Sequence, residues 1–252
     1  MRYLQIAFYR AYADLKTEAS RSFVGFAWWI VEPVLYMAAF YVVFELGLRR
    51  GQENFLAFLL IGLILWKWFS STITSSSGII NANRGLLNQV YLPKWIFPLT
   101  VVITNTSKLL ISSVVLLVFL LVYGINPDLS WLALLPILLA QLLLVLGCSL
   151  MAAALTPFFQ ELRLIIDNGI LALMFLSGVF FNLDEMEEGV RSVLMLNPIA
   201  ILIRDARSVL LDKQLPADHS LFYVTTISIA LIVFALFFLK RNDRIYPKVL
   251  TS

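Results

Sequence analysis

Four ionisable residues interrupt long apolar stretches of the sequence: Glu32, Lys67, Lys108 and Asp167. Such a side chain at the centre of a membrane span costs about 3 kcal/mol on insertion scales, so it normally faces protein or water. The two acids and two bases could form buried pairs that hold helices in register, or they could mark polar points along a hydrophilic path. The residue types leave both interpretations open.

Enzymatic chemistry has little support in the sequence. The single histidine, His219, lies beside Asp218 at the edge of an apolar stretch, and no nucleophilic triad can be assembled around it. The single cysteine, Cys148, has no second cysteine to pair with in a disulfide or a metal site. No GxxxxGK[ST] phosphate loop is present. We therefore expect no catalytic residue, no metal and no cofactor bound by this chain.

Aromatic residues are concentrated in the same apolar stretches as the charges. A ring in such a place most often packs against lipid or belongs to an interfacial belt. Flat apolar faces with polar edges could also let a sugar chain slide by stacking. We predict a substrate path lined by Trp28, Trp29, Glu32, Tyr36, Phe40, Lys67, Trp68, Phe175, Phe180 and Phe181.

The elements that position these residues are membrane helices. Of the 252 residues, 60% are hydrophobic and only 14% are charged, and the mean hydropathy is +0.87, far more apolar than a soluble domain. We predict an all-α membrane protein that forms one domain over residues 1–252. Its six predicted spans lie near residues 27–47, 54–76, 96–123, 131–155, 164–182 and 220–239.

The distribution of basic residues predicts the orientation of these spans. A cytoplasmic N-terminus places eleven Lys and Arg residues on the cytoplasmic side and six on the other side. The positive-inside rule therefore favours an N-in, C-in arrangement.

Two segments outside the spans are predicted to be helical as well. Residues 1–26 form an amphipathic helix that lies on the membrane surface or packs on a partner. Its apolar face carries Leu4, Phe8, Ala11, Leu15 and Ala19, and its polar face carries Arg10, Asp14, Thr17 and Arg21. Residues 182–218 are too long for a plain loop, so we predict short re-entrant helices that gate the outer mouth, with a surface cap as the alternative.

Three motifs resemble those of permeases in the ABC polysaccharide exporter family, which export O-antigen (Wzm-like) or capsule (KpsM-like) chains. The stretch RSFVGFAWWIVEP at 21–33 resembles the R-x-x-L-G-x-x-W-x-x-x-x-P signature at the start of the first span. Residues 78–98 are similar to the cytoplasmic connection between the second and third spans. Asn197 and Pro198, followed by Arg204 or Arg207, resemble the N-P...R pattern before the last span.

The resemblance implies a type 2 ABC exporter fold and a set of site residues. At the start of the first span, Arg21 would anchor at the anionic leaflet, Gly25 would permit close helix approach, and Pro33 would bend the helix. Asn197, Pro198, Arg204 and Arg207 would belong to the outer gate. Residues 77–95 would contact an ATPase, through Asn83, Arg84, Leu86, Leu87, Val90 and Tyr91.

The resemblance also implies partners and a location. Two copies of the chain would surround a glycan path in the bacterial inner membrane, in contact with membrane lipids. Two copies of a separate nucleotide-binding subunit would bind ATP and Mg and drive export of a lipid-linked polysaccharide, with O-antigen as the first candidate. We expect no nucleic-acid partner, because the sequence has no basic patch with interleaved aromatic residues.

Other functions remain open at this point. Capsule, teichoic-type polymer, drug or lipid could replace O-antigen as cargo without a change of architecture. An ion-driven secondary transporter could use Glu32 and Asp167, although no internal repeat is evident. A membrane scaffold that transports nothing is the third alternative.

Overall fold

The computed structural model describes residues 2–21, 27–42, 54–216 and 218–249. Regular structure in these ranges is helical, with short 3-10 turns at Leu129–Ala133 and Leu183–Glu185. The helices are α1 (Arg2–Arg21), α2 (Trp28–Phe40), α3 (Phe55–Ser77), α4 (Ile79–Ala82), α5 (Arg84–Gln89), α6 (Ile96–Val122), α7 (Leu134–Leu155), α8 (Leu162–Phe175), α9 (Glu188–Leu194), α10 (Pro198–Leu210), α11 (Asp218–Arg241) and α12 (Tyr246–Val249).

Four stretches of helix in the described ranges are long and apolar enough to cross a membrane. They are Phe55–Ser77, Ile96–Val122, Leu129–Leu155 and His219–Arg241. The predicted spans 54–76, 96–123, 131–155 and 220–239 are therefore confirmed as membrane-length apolar helices. Each begins and ends close to the predicted boundary, because Gly, Pro, Asn and charged residues punctuate the apolar runs.

The helices at the other two predicted spans are shorter. Over their described lengths, α2 has 13 residues and α8 has 14, so each extends about 20 Å, less than the roughly 30 Å hydrocarbon core. Residues 43–47 of the first predicted span lie outside the described residues. The prediction for 164–182 runs past the helix, because the chain leaves α8 at Leu176 and Gly178 adopts a left-handed φ of 67°.

The main core lies where α3, α6, α7, α10 and α11 pack together. Ile61, Leu144 and Leu202 are among its fully buried residues. A polar contact adds specificity, since Gln141 Nε2 on α7 donates a hydrogen bond to the Leu65 carbonyl of α3 at 2.9 Å. A smaller core at one end of the bundle surrounds Phe97 and Tyr246.

α1 packs along α6 through small residues. Ala7 and Ala11 are buried at this contact, whereas Leu4 and Phe8 are 50% and 59% exposed. The predicted apolar face is therefore divided between the buried alanines and the exposed Leu4 and Phe8, while Leu15 is partly buried. The location of α1 at a membrane surface stays a prediction.

Arg10 does not lie on a solvated polar face as predicted. It is partly buried, donates a hydrogen bond to Asn83 Oδ1, and lies 5.0 Å from the centroid of the Phe97 ring. The hydrogen bond and the cation–π contact give the guanidinium partners that a helical pattern alone cannot reveal.

The connections collect at two opposite ends of the bundle. At one end, Tyr246 of α12 donates a hydrogen bond to the Ala154 carbonyl at 2.8 Å, close to α4 and α5. At the other end, Ser130 Oγ contacts the Val209 carbonyl at 3.4 Å. Residues 182–216 contain a 3-10 turn, α9 and α10, so short helices occur in this segment, while their re-entrant position and gating role stay predictions.

Candidate functional site

An ion pair joins the first two predicted spans. Lys67 on α3 pairs with Glu32 on α2, and their side chains are 43% and 30% exposed. The Lys67 ammonium also lies 5.4 Å from the centroid of the Tyr36 ring, one turn beyond Glu32. The sequence left the pairing of the charges open, and this contact pairs the acid of the first span with the base of the second.

A second ion pair ties α1 to α6. Lys108 Nζ lies 2.6 Å from Glu18 Oε2 and 2.8 Å from Oε1. Trp29 Nε1 donates a hydrogen bond to the same carboxylate at 3.2 Å, and Lys108 lies 5.7 Å from the centroid of the Trp29 ring. One acid before the first span therefore orients a predicted path residue and neutralises an intramembrane lysine.

A narrow cavity lies between these two ion pairs. Its volume is about 80 Å³, and its wall includes Trp29, Glu32, Tyr36, Lys67 and Lys108. The space is large enough and polar enough to hold water. A single chain in this conformation therefore provides a polar, aromatic wall around a small space.

Other predicted path residues lie at different depths of the bundle. Trp68 is buried beside the narrow cavity, and Trp28 is 49% exposed on α2. Phe175, Phe180 and Phe181 lie at and beyond the end of α8, where the Phe175 and Phe180 rings are 5.8 Å apart. The structure thus groups the residues of the first two spans and places the three phenylalanines elsewhere.

Asp167, the fourth intramembrane charge, lies on α8 and is partly buried. Its Oδ1 atom is buried and accepts no hydrogen bond from the described part of the chain. None of the ion pairs in the described ranges includes Asp167. It is therefore unlike Glu32, which has a basic partner on the neighbouring helix.

The residues assigned to the start of the first span are described only in part. Arg21 is the last residue of α1, and Gly25 lies outside the described residues. Pro33 lies within α2, and Phe40 is its last residue. Their roles in membrane insertion and in the path stay predictions.

Asp184 is the centre of an ion cluster at the end of the bundle that contains α9. Arg204 Nε donates to both Asp184 oxygens at 2.9 Å, and Arg204 Nη2 lies 2.9 Å from Oδ1. Arg191 Nη2 on α9 lies 2.7 Å from the same Oδ1. The predicted gate residue Arg204 therefore links α10 to the 3-10 turn at residues 183–185.

Arg207 is buried and binds backbone carbonyls. Its Nε donates to Phe58 at 2.9 Å, its Nη1 to Gly178 at 2.6 Å, and its Nη2 to Val179 at 2.8 Å. The guanidinium carbon lies 3.4 Å from the centroid of the Phe58 ring. Arg207 thereby fastens α10 both to α3 and to the turn that follows α8.

Asn197 and Pro198 begin α10. The Asn197 side chain accepts a hydrogen bond from the Ile199 amide at 3.2 Å and donates one to Ser177 Oγ at 2.9 Å. Proline fits the first helical turn because its missing N–H would have no partner there. These two residues set the start of α10 and connect it to the turn after α8.

An open groove borders the ion cluster. Its volume is about 480 Å³, and it is lined in part by Phe180, Phe181, Asp184 and Arg204. It shares no lining residue with the narrow cavity. Seven of the predicted path residues therefore divide between two separate sites, five at the narrow cavity and two at the open groove.

The predicted ATPase-contact segment forms α4 and α5. Leu86 is 38% exposed, whereas the adjacent Leu87 is 8% exposed and packs in the smaller core. Arg84 is exposed, and Asn83 accepts the hydrogen bond from Arg10 of α1. Leu87 therefore holds α5 on the bundle, while Leu86 and Arg84 are accessible to a partner.

The chain beyond α5 contacts the segment that follows α11. Val90 and Tyr91 are 53% and 68% exposed. The Tyr91 hydroxyl donates a hydrogen bond to Asp243 Oδ2 at 2.7 Å, and Lys94 Nζ lies 2.9 Å from Asp243 Oδ1. The pKa of Tyr91 is raised above its ordinary value. The largest cause is the hydrogen bond to Asp243, and the second is the repulsion between the Asp243 carboxylate and an ionised Tyr91.

Sequence reasoning missed three acids that organise these contacts: Glu18, Asp184 and Asp243. All three lie outside the predicted spans, so a search for intramembrane charges could not find them. Asp184 belongs to an acid-rich run, and Asp243 is an acid among the bases after the last span. Within the described residues, no three His, Cys, Asp or Glu side chains are close enough to hold a metal ion.

Comparisons with known proteins give one consistent result. A family model described as ABC-2 type transporter matches residues 11–211. The chain is 29% identical over 226 residues to the O-antigen export system permease protein RfbA of Klebsiella pneumoniae, covering 89% of this chain and 87% of the relative. It is 30% identical over 223 residues to RfbA of Myxococcus xanthus, covering 87% and 85%. It is 25% identical over 237 residues to the polysialic acid transport protein KpsM of Escherichia coli, covering 91% and 90%.

The ion pair between α2 and α3 should be energetically coupled. We expect Glu32→Gln and Lys67→Gln each to lower the free energy of unfolding, and the double variant to lose less than the sum of both. The expected coupling is about 1 kcal/mol, because each single change leaves a partly buried charge without its partner. The free energies of unfolding of the four proteins in this double-mutant cycle are measured in mixed micelles. The exchange Glu32→Lys with Lys67→Glu is the charge-preserving control. Additive losses would contradict the coupling.

The position of Arg207 should make Gly62 intolerant of a side chain. A Cβ atom at Gly62 on α3 would collide with the Arg207 Nη2 atom, which is held in place by its carbonyl acceptors. We expect Gly62→Ala to lower the free energy of unfolding by about 1–3 kcal/mol. Gly169→Ala on α8 is the matched control, since its Cβ would meet no heavy atom within 4 Å. Equal thermal stability of the two variants would show that Arg207 is free to move.

Proposed function

Because the chain belongs to the ABC-2 type transporter family, we propose that it is the permease half of an ATP-driven polysaccharide exporter. The observation that carries this proposal is the nature of the relatives that align along most of the chain. They are named for export of O-antigen and for transport of polysialic acid. Several apolar helices of membrane length agree with a multi-pass membrane permease.

The first candidate cargo is a lipid-linked polysaccharide of the O-antigen type, exported across the bacterial inner membrane. Identities of 29% and 30% to O-antigen export permeases, against 25% to the polysialic acid transport protein, favour this cargo. A capsule-type polymer is the second candidate, because the match to that protein covers 91% of the chain.

A second copy of the chain would complete the glycan path. The narrow cavity beside α2 has a volume of about 80 Å³, which is small for a polymer path. No residue of α8 is buried within a single chain, and Leu164, Ile165 and Leu171 are exposed on it. Two copies facing each other through α2 and α8 would bring two sets of tryptophan and tyrosine rings around one opening.

A separate nucleotide-binding subunit would bind ATP and Mg and drive the cycle, with one copy for each permease. Its contact would be α4, α5 and the residues just after α5, because Leu86 on α5 and Val90 just after it are exposed. Asn83 is hydrogen-bonded to Arg10 of α1, and Glu18 of α1 is paired with Lys108 of α6. A push on α5 would therefore reach α1 first and the helices around the narrow cavity next.

The membrane orientation follows from the same contact. The end with α4, α5 and α12 would face the cytoplasm, in the N-in, C-in arrangement with six crossings. The opposite end, with α9 and α10, would face outward and gate the exit through the Arg204 and Arg207 contacts. This chain would contribute no catalytic residue.

The exposed apolar residues of the α5 segment should be needed for ATPase binding. We expect Leu86→Ala with Val90→Ala to reduce the ATP hydrolysis that co-purifies with the tagged chain by tenfold or more. The reason is that burial of one such side chain at an interface contributes about 1.5–3 kcal/mol. The measurement is an ATPase assay on protein eluted from native membranes.

The matched control is Leu110→Ala with Val114→Ala, which alters two exposed apolar residues on α6 away from this segment. It should leave co-purified hydrolysis unchanged. If the intact, folded chain brings down no ATP hydrolysis, the exporter proposal fails. If hydrolysis survives the Leu86 and Val90 changes, the contact lies elsewhere.

A further inference from the structure

A groove opens where the last long helix ends, beside the end of the predicted ATPase-contact segment and apart from the narrow cavity and the open groove described above. Its volume is about 700 Å³, and it lies between the end of α11 and the segment before α6. Pro93, Trp95 and Leu239 give it an apolar inner wall, while Lys240, Arg241 and Arg244 line its rim.

The positive charges on this rim are not neutralised by the nearby acid. Asp243 already receives Lys94 on one carboxylate oxygen and the Tyr91 hydroxyl on the other. None of the ion pairs found in the described ranges includes Lys240, Arg241 or Arg244. All three side chains are exposed, so the groove offers three cations to an anionic ligand.

An apolar surface continues from the groove along α11. Leu236 lines the groove and is 40% exposed. Val233 and Phe237, on the same part of the helix, are 61% and 60% exposed. A ligand that fits both parts has an anionic head and an apolar tail.

We propose that this groove binds an anionic phospholipid. The phosphodiester would lie among Lys240, Arg241 and Arg244, because guanidinium groups bind phosphate oxygens through paired hydrogen bonds. One acyl chain would lie along Leu236 and Phe237. The groove is at the end of the apolar helix His219–Arg241, which is the depth at which lipid headgroups lie.

Such a lipid would touch the start of α6. Trp95 immediately precedes α6, and Lys94 forms the buried ion pair with Asp243 beneath the rim. A bound headgroup would therefore hold α11 and the segment 91–95 together from outside. The site needs neither an ATPase nor a glycan, so it can be tested independently of the proposed export function.

Fluorescence quenching can test the site on the full-length chain. The chain is placed in phosphatidylcholine vesicles that contain a rising fraction of phosphatidylglycerol brominated in the upper acyl chains. The chain has six tryptophans, so the signal from the groove is the part of the tryptophan quenching that disappears in the variant Trp95→Phe. We expect phosphatidylglycerol to bind there more tightly than brominated phosphatidylcholine, by about fivefold for each engaged cation. Lys240→Gln with Arg241→Gln and Arg244→Gln should remove this preference.

Three controls identify the cause of any preference. Lys16→Gln with Arg84→Gln and Arg163→Gln removes the same charge from exposed positions outside the groove and should preserve the preference. Lys240→Arg with Arg241→Lys and Arg244→Lys keeps the charge and should preserve it as well. Inorganic phosphate should not abolish it when compared with chloride at equal ionic strength.

Several results would overturn the proposal. Absence of Trp95-dependent quenching would mean that lipid does not occupy the groove, and equal quenching by the two lipids would mean that no anionic headgroup is selected. If the variant Lys16→Gln with Arg84→Gln and Arg163→Gln lost the lipid preference equally, the preference would come from total surface charge and not from the groove. Displacement by inorganic phosphate would identify a phosphate-ion site instead of a lipid site.

Discussion

A charge inside an apolar bundle is stabilised by partners in the protein, because hydrocarbon offers neither hydrogen bonds nor counterions. The pairs observed here join segments that are distant in sequence: Glu32 to Lys67, Glu18 to Lys108, and Arg207 to carbonyls of α3 and of the turn after α8. Apolar side chains pack almost equally well against lipid and against another helix, so they specify neighbours weakly. In this bundle the polar contacts add specificity to an apolar core in which α7 and α11 also pack closely.

The same contacts surround two distinct sites in the bundle. Around the narrow cavity, aromatic rings and paired charges line a small space. Around Asp184, arginines from α9 and α10 converge on one carboxylate beside an open groove. The proposed transport cycle would change the inner end through α5 and α1, while Arg207 keeps the outer helices attached to α3.

Much of the fold could be predicted from apolar runs and the residues that interrupt them, as the bounds of α3, α6 and α11 show. The end of α8 could not, because LMFLSGVFF stays apolar through a turn that Gly178 makes possible. Leu86 and Leu87 are identical residues with opposite exposures, and only the packing of α5 separates them. Arg10 faces inward because its partners lie on other elements, which a helical pattern does not contain.

The contact of Asp243 with Tyr91 and Lys94 also has a consequence for how the protein is made. Tyr91 and Asp243 are 152 positions apart in the chain. At typical rates of about 5–20 residues per second, a ribosome takes roughly 8 to 30 seconds to cover that distance. During this interval Lys94 is already synthesised and Asp243 is not. The segment that we propose to contact the ATPase therefore reaches its final form late in biogenesis, after the last long helix has been translated.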